Sequence, residues 1–242
     1  MGCVNRSASL VAALVAGTVL AVLLGLVPAA AAPGEDAVAK AQRRLNALGC
    51  QAGPADGDLG AWTRSAVLRF QSRQRIATTG RLDERTRRKL YAEGRWAAER
   101  CDRRPVPGHS GQGRRIVISQ RQNWVWLVGP SGGVVAQGGM VDNPRVLRRG
   151  AHATGSYCGR AARIKLNQST SGTVWLDNFV RFAPCGIGFH RIPRSKSNGK
   201  QIHADWVLGT NMATSHGCIR LSKAMSRKVW DFTARRTPVR VV

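Results

Sequence analysis

The spacing of apolar residues in the first part of the sequence predicts three helices. Apolar residues recur every three or four positions over 36–48, at Val38, Ala41, Leu45 and Leu48. Gly49 ends this run as a helix-terminating glycine. A loop rich in Gly, Pro and Asp follows over 52–59, and Thr63 is then expected to cap a second amphipathic helix. A third helix is expected to begin near Asp83.

After Arg114 the pattern changes to short apolar runs that are typical of strands. The predicted strands are 116–118, 124–128, 134–141, 174–182, 187–192 and 238–242. The run Gly129–Gly133 separates two of them as a hairpin turn. A helix capped by Ser222 is expected before the last strand, with an apolar side formed by Met225, Val229, Trp230 and Phe232.

The two patterns are separated by a stretch without periodicity. Residues 102–113 include two prolines and three glycines, which is typical of a linker. The sequence therefore predicts a multidomain α and β protein. A small three-helix bundle occupies 36–101, and a mainly β domain with one or two helices occupies 114–242.

The first 32 residues have the pattern of a secretory signal peptide. Arg6 precedes an apolar run from Leu10 to Val27, and small residues at 29–32 form an Ala-x-Ala cleavage site. The apolar run is long enough for an uncleaved membrane anchor, but its glycines and its alanine end favour cleavage. We therefore expect a secreted, extracytoplasmic protein that meets the membrane only transiently, through its signal peptide.

The formal net charge of +25 implies a polyanionic neighbour. No single block of Lys and Arg accounts for this charge, and an arginine-rich composition can also reflect the composition of the genome. For a secreted protein the expected neighbours are anionic cell-wall polymers or a membrane surface, and no nucleic acid partner is expected.

The cysteines of the expected mature chain are odd in number. Cys3 lies in the leader, which leaves Cys50, Cys101, Cys158, Cys185 and Cys218. In an oxidising compartment one of these should stay free. Pairing within each domain joins Cys50 to Cys101 and Cys158 to Cys185 and leaves Cys218 unpaired. The sequence does not fix the connectivity, so other pairings stay open.

The stretch 215–221, Ser-His-Gly-Cys-Ile-Arg-Leu, is the strongest candidate for chemistry. A thiol has an ordinary pKa of about 8.5, so Cys218 needs a nearby base or positive charge to become a nucleophile. His190 is the candidate base, and His203 is an alternative. A structural cysteine beside a surface His216, or half of a metal site, would also fit the tetrapeptide alone. The His and Cys residues lack the paired spacing of a zinc site, so no metal is expected.

The surroundings of this stretch resemble a known family. The motifs Ile187-Gly188-Phe189-His190, Leu208-Gly209-Thr210 and Ser215–Leu221 resemble the L,D-transpeptidase (YkuD-like) catalytic domain. Ala153–Tyr157 and Thr237–Val241 resemble two of its strands, so the resemblance covers 114–242. Residues 38–90 resemble the peptidoglycan-binding type 1 domain, a three-helix module, in Gln42–Gly49, Asp56-Gly57, Thr63, Ala66-Val67, Phe70-Gln71, Thr79-Gly80 and Leu90.

The resemblance implies roles for single residues. Cys218 is the nucleophile and His190 the base, whose far ring nitrogen is held by a backbone carbonyl at Arg191. Backbone amides of His216, Gly217 and Cys218 stabilise the oxyanion, and Ser215 braces the turn. Arg220 raises the local positive potential, binds a substrate carboxylate, or forms a structural ion pair. The Ile-Gly-Phe match favours His190 over His203 as the base.

The implied reaction is cross-linking of peptidoglycan stem peptides. Cys218 attacks the carbonyl between the third residue and the terminal D-Ala of a tetrapeptide stem, and an amine from a neighbouring stem resolves the thioester. No metal or organic cofactor is required. Two alternatives stay open: an L,D-carboxypeptidase, in which water resolves the thioester, and a non-catalytic protein that only binds wall glycan.

Overall fold

The computed structural model describes residues 35–242, without the side chains of Glu35, Asp36, Trp96 and Cys185. The predicted signal peptide and Cys3 lie outside the described residues. The α-helices of the described part are α1 (Glu35–Ala47), α2 (Ala61–Arg73), α3 (Glu84–Leu90) and α4 (Lys223–Phe232). None of them has the length and apolar character that crossing a membrane requires.

The first three helices enclose an apolar core of their own. Leu45, Leu48, Val67, Phe70 and Leu90 all belong to this core and are buried. A disulfide between Cys50 and Cys101 ties the chain after α1 to the segment that follows α3, as predicted. This bond joins residues 51 positions apart, so it removes conformational freedom from the unfolded chain.

The predicted start of the second helix is wrong. Helix α2 begins at Ala61 with Gly60 as its N-cap, and Thr63 lies inside the helix. The Thr63 hydroxyl donates to Asp58 O at 2.8 Å and accepts from Gln42 Nε2 at 2.8 Å. Thr63 therefore binds the preceding loop rather than the first turn of the helix. Its position near the helix start made it look like an N-cap in the sequence. Helix α3 begins next to Asp83 as predicted, and the Asp83 side chain caps it by accepting from Thr86 N.

The strands that follow form two mixed sheets. They are β1 (Arg115–Ser119), β2 (Trp124–Val128), β3 (Val134–Gly139), β4 (Gly150–Ala153), β5 (Arg163–Gln168), β6 (Val174–Arg181), β7 (Gly188–Arg191), β8 (Arg194–Ser195), β9 (Ile219–Leu221) and β10 (Pro238–Val241). The first sheet has the order β3-β2-β1-β10-β4. The second has the order β5-β6-β7-β9, and β8 pairs with β6.

One apolar core lies between the two sheets and α4. Ile118 and Val239 of the first sheet, Phe189 of the second and Val229 of α4 all belong to it and are fully buried. Helix α4 is capped by Ser222, whose side chain accepts from Met225 N, as predicted. The core faces of the strands follow a period of two, so the opposite face of the second sheet is left for other groups.

The predicted linker segment packs on the outer face of the first sheet. Arg104 is buried, and its guanidinium lies 4.2 Å from the centre of the Trp124 ring. Its carbonyl accepts from Trp126 Nε1 at 2.9 Å. This segment is therefore bound along the sheet at Arg104, although its sequence has no periodicity.

Some elements differ from the prediction. Strands β4, β5, β8 and β9 were not predicted, and β4 ends at Ala153, so most of the strand expected at Ala153–Tyr157 is loop. The strands over 115–119, 124–128 and 174–181 lie where the apolar runs predicted them. Strands β4, β8 and β9 were missed because they have only 4, 2 and 3 residues, too few to show a periodic pattern.

Candidate active site

His190 and the residue after Cys218 lie on neighbouring parallel strands. In the register of β7 and β9, Phe189 pairs with Ile219 and His190 pairs with Arg220. Cys218 immediately precedes β9, so it lies beside Gly188. Paired residues of neighbouring strands point to the same face, and alternate residues share that face. The candidate nucleophile and the candidate base are thus brought to one face of the second sheet, away from the core.

His190 is buried, and its ring is fixed from two sides. Nδ1 lies 2.5 Å from the carbonyl oxygen of Arg191, which is the contact predicted from the sequence. Because a carbonyl only accepts, Nδ1 carries the proton and Nε2 keeps a free electron pair. The ring of Phe179 stacks on the imidazole with centroids 6.2 Å apart and planes 18° apart. Orientation and tautomer are therefore set before any substrate binds.

Burial lowers the pKa of His190 to about 4, against an ordinary value of 6.5. The Arg191 carbonyl and Asp177 oppose this shift in pKa, whereas Arg220 adds to it. The imidazole is therefore neutral at neutral pH and is able to accept a proton.

Cys218 is a free cysteine and is partly exposed. Its Sγ donates to the Gly186 carbonyl at 3.4 Å. Burial raises the pKa of the thiol, while the Gly188 backbone and the charges of Arg220 and Arg181 act to lower it. The resting pair is thus a neutral thiol with a neutral imidazole, so the thiol must lose its proton as it reacts.

The turn before Cys218 is braced by its neighbours. Ser215 is buried, and its hydroxyl accepts from Gly217 N at 2.9 Å. Asn143 Nδ2 donates to Ser215 O at 2.9 Å, and Ser215 N donates to Asp142 O at 3.1 Å. Gly217 has a φ of +129°, and a Cβ there would lie 2.8 Å from Val146 Cγ1. Only glycine therefore fits this position.

The predicted oxyanion donors differ in their availability. The Gly217 amide is already bonded to Ser215, whereas the amides of His216 and Cys218 have no hydrogen bond within the described residues. The His216 side chain is exposed on the turn. The two amides that remain flank Gly217, as an anion-binding turn requires.

Arg220 lies on the same face and is 9% exposed. No carboxylate of the described residues lies within ion-pair distance of its guanidinium. Of its three predicted roles, the structural ion pair is therefore not seen. Arg220 is positioned to act on the thiol by charge, or to bind a substrate anion.

His203 lies within electrostatic range of Arg220 but is held differently from His190. Its Nδ1 contacts the Ala204 carbonyl at 3.1 Å, and it lies outside the strands, before a short 3₁₀ turn at Asp205–Val207. The strand register that joins His190 to the Cys218 strand does not include His203.

Three residues near the site were missed from the sequence. The Phe179 ring stacks on His190, Arg181 pairs with Gly188 across β6 and β7, and Asn143 braces the turn. The alternation along 174–182 was the available signal for Phe179 and Arg181, because it sets them on one face. Their link to His190 and Gly188 depends on strand register, which the sequence does not fix.

Three of the described cysteines outside the site are disulfide-bonded. Cys50 and Cys101 form one disulfide, and Cys158 is also disulfide-bonded. The side chain of Cys185, the predicted partner of Cys158, lies outside the described residues, so that pairing stays a prediction.

Residues 34–90 match a peptidoglycan-binding family. The family is described as "Putative peptidoglycan binding domain". The match confirms the resemblance that the motifs of residues 38–90 indicate. No curated protein matches the chain.

The described fold is similar to several crystal structures. An L,D-transpeptidase from Xylanimonas cellulosilytica has 22% identity and a TM-score of 0.49, over 85% of this chain and 92% of the other. An L,D-transpeptidase from Stackebrandtia nassauensis has 18% identity and a TM-score of 0.42, over 84% and 89%. A fused Zn-dependent amidase/peptidase/peptidoglycan-binding domain-containing protein from Clostridium acetobutylicum has 18% identity and a TM-score of 0.40, over 85% and 94%.

Proposed function

We propose that the chain is a secreted cysteine L,D-transpeptidase that cross-links peptidoglycan. The observation that carries the proposal is the convergence of a free thiol and an oriented, neutral imidazole on neighbouring strands. Cys218 is free although Cys50, Cys101 and Cys158 are bonded, as expected of a nucleophile in an oxidising compartment. The motifs around both residues resemble the L,D-transpeptidase family, and the proposed reaction is taken from that resemblance.

In the first half-reaction the Cys218 thiol attacks a tetrapeptide stem. As the S–C bond forms at the carbonyl of the third residue, the thiol proton passes to Nε2 of His190. The amides of His216 and Cys218 stabilise the oxyanion. The C–N bond to D-Ala then breaks, His190 returns the proton to the leaving amine, and a thioester remains on Cys218.

In the second half-reaction an amine of a neighbouring stem attacks the thioester. His190 accepts a proton from this amine as the new C–N bond forms, and the S–C bond breaks. The proton then returns to the sulfur, which restores the neutral pair. The product is a 3-to-3 cross-link. No step requires a metal or an organic cofactor.

The helical part, proposed to be a three-helix bundle over 36–101, is proposed to hold the enzyme on its polymeric substrate. Its match to a peptidoglycan-binding family over 34–90 supports this role. Contact with anionic cell-wall polymers follows from the net charge of +25. Peptidoglycan stems and glycan are thus the proposed partners, outside the cytoplasm.

The test is product analysis with muropeptides of known composition. The purified protein is incubated with a disaccharide tetrapeptide, with and without an amine acceptor, and the products are separated by mass spectrometry. We expect release of D-Ala with formation of a 3-to-3 dimer. Tripeptide without dimer would assign the L,D-carboxypeptidase reaction, and unchanged substrate would leave only a wall-binding protein. Cys218→Ala serves as the control and should release no D-Ala.

A further inference from the structure

Arg181 is a buried cation that lacks a counter-ion in the part of the chain that the structure describes. Arg181 is 2% exposed, its Nε donates to the Ala161 carbonyl at 3.2 Å, and its Nη1 is buried without an acceptor among the described residues. No carboxylate among the described residues lies within ion-pair distance of it, and Asp177 on the same strand binds Arg194 and Arg191. An unpaired buried donor on a charged group is costly, so such a group is rarely left without an anion to bind.

The strand register places Arg181 opposite the thiol. Arg181 pairs with Gly188 on β7, and Gly188 lies beside Cys218 on the next strand. Neighbouring strands are about 4.8 Å apart, so the backbones of Arg181 and Cys218 lie about 10 Å apart with a glycine between them. Both side chains are on the face that carries His190.

The guanidinium is held in place by its neighbours. Its central carbon lies 5.0 Å from the centre of the Phe179 ring, the same ring that stacks on His190. Arg181 N donates to Ala162 O at 2.8 Å, and Arg181 O accepts from Gly155 N at 3.1 Å. The cation is thus preorganised, which lowers the entropic cost of binding an anion.

We propose that Arg181 binds the terminal carboxylate of the donor stem, the group that leaves with D-Ala. This inference rests on the proposed function. In the donor, that carboxylate is three bonds from the carbonyl carbon that Cys218 attacks. A fixed cation across one strand from the nucleophile recognises a chain that ends one residue beyond the scissile bond. Arg181 is therefore a specificity-determining residue for donors with a free C-terminus.

The experiment compares two donors that differ only in this carboxylate. Acylation of the full mature chain is followed by intact-protein mass with a tetrapeptide ending in D-Ala and with its C-terminal amide. The wild type is expected to favour the free acid by about 10- to 100-fold in kcat/KM, the range of a charge-assisted hydrogen bond. In Arg181→Gln this ratio should fall to within about threefold of one.

The ratio separates carboxylate binding from an effect on the thiol. Both donors meet the same Cys218, so a change in thiol pKa alters both rates alike and leaves their ratio unchanged. Arg163→Gln is the matched control: Arg163 stacks on Trp230 at 4.0 Å and pairs with Val180, whose side chain faces the core. It should keep the wild-type ratio.

Three results would overturn the inference. An unchanged acid-to-amide ratio in Arg181→Gln, with acylation still measurable, would remove Arg181 from substrate recognition and leave the proposed function intact. If Arg181→Gln fails to fold by circular dichroism, Arg181→Met, which also removes the charge, takes its place, and an unchanged ratio in that variant counts equally against the inference. Absence of acylation by either donor in the wild type would overturn the proposed function, and the inference with it.

Discussion

At Gly188, the Phe179 ring occupies the space that a side chain would need. A Cβ at this position would lie 2.7 Å from Phe179 Cζ and 2.7 Å from Val180 O. Gly188→Ala should push the ring away from His190, lowering the acylation rate by about 10- to 100-fold. Overpacking should also lower the free energy of unfolding by about 1–3 kcal/mol. Rates of adduct formation and denaturant melts measure the two effects.

Gly108→Ala is the control for this substitution, since a Cβ there meets nothing within 4 Å. Its acylation rate and stability should match those of the wild type. Normal acylation in Gly188→Ala would show that the Phe179 ring does not set the position of His190.

The low pKa of His190 determines how kcat/KM should depend on pH. Since burial lowers this pKa to about 4, kcat/KM should stay constant as pH falls past 6.5 and decline only near pH 4. An acid limb at the ordinary histidine value would mean that the base is a solvated group.

The lowered pKa of His190 should also make the free energy of unfolding depend on pH. Between about pH 4 and 6.5 the unfolded chain binds a proton at this position that the folded chain does not. The contribution of His190 to the free energy of unfolding should therefore fall as pH drops through that window. The contribution is the difference between the wild type and His190→Gln in denaturant melts at each pH.

At the residue scale, motifs predicted the candidate pair but not what surrounds it. Cys218 and His190 were found because the turn and the strand end have recognisable sequences. Arg181, Phe179 and Asn143 contact the site through register and long-range pairing, neither of which leaves a local pattern. Thr63 was wrongly predicted as an N-cap because a threonine near a helix start commonly accepts from a backbone amide. Here its hydroxyl instead donates to the carbonyl of Asp58 in the loop.

Among the helices, Arg69 of α2 joins the helical part to the segment that leads to the turn before Cys218. Its guanidinium donates to Trp206 O at 2.6 Å and to Leu208 O at 3.1 Å, and also to Cys50 O and Gln51 O. Burial lowers its pKa to about 10, so it stays charged at neutral pH. Four carbonyls thus share one buried cation, which fixes the start of the 206–215 segment.

Arg69→Met should leave these buried carbonyls without a donor. We expect the free energy of unfolding to fall by about 2–4 kcal/mol and acylation to slow by about tenfold, because the turn loses its support. Arg73→Met is the control, since Arg73 on the same helix bonds Arg100 O and Glu99 and does not reach the 206–215 segment. Equal acylation rates in the two variants would show that the helices do not support the turn.

The elements that the sequence predicted are those with a strong apolar period. Helices α1 and α4 and strands β1, β2 and β6 lie close to their predicted positions. Strand β5 was missed because it lies at a sheet edge with mostly partly exposed or exposed residues, and β8 has only two residues. Edge strands need less apolar surface, so their sequences resemble loops.

At the scale of the whole molecule, charge and specific contact should contribute separately to wall binding. Charge-driven binding weakens steeply with salt. Trp62 on α2 is 47% exposed and lies over Gly53, so its ring offers a face to a sugar. In sedimentation with purified sacculi at 1 M salt, Trp62→Ala should bind at least about threefold less than the wild type. Arg85→Gln removes an exposed charge on α3, so it should weaken binding at low salt and leave binding at 1 M salt unchanged.

The rate of thioester formation decides whether Cys218 and His190 form the reacting pair. Intact-protein mass is followed with a tetrapeptide donor in the wild type, Cys218→Ala, His190→Ala and His203→Ala. We predict no adduct in Cys218→Ala, a loss of about two to four orders of magnitude in His190→Ala, and a near-normal rate in His203→Ala. An adduct in Cys218→Ala, or a normal rate in His190→Ala with a slow His203→Ala, would contradict the assignment.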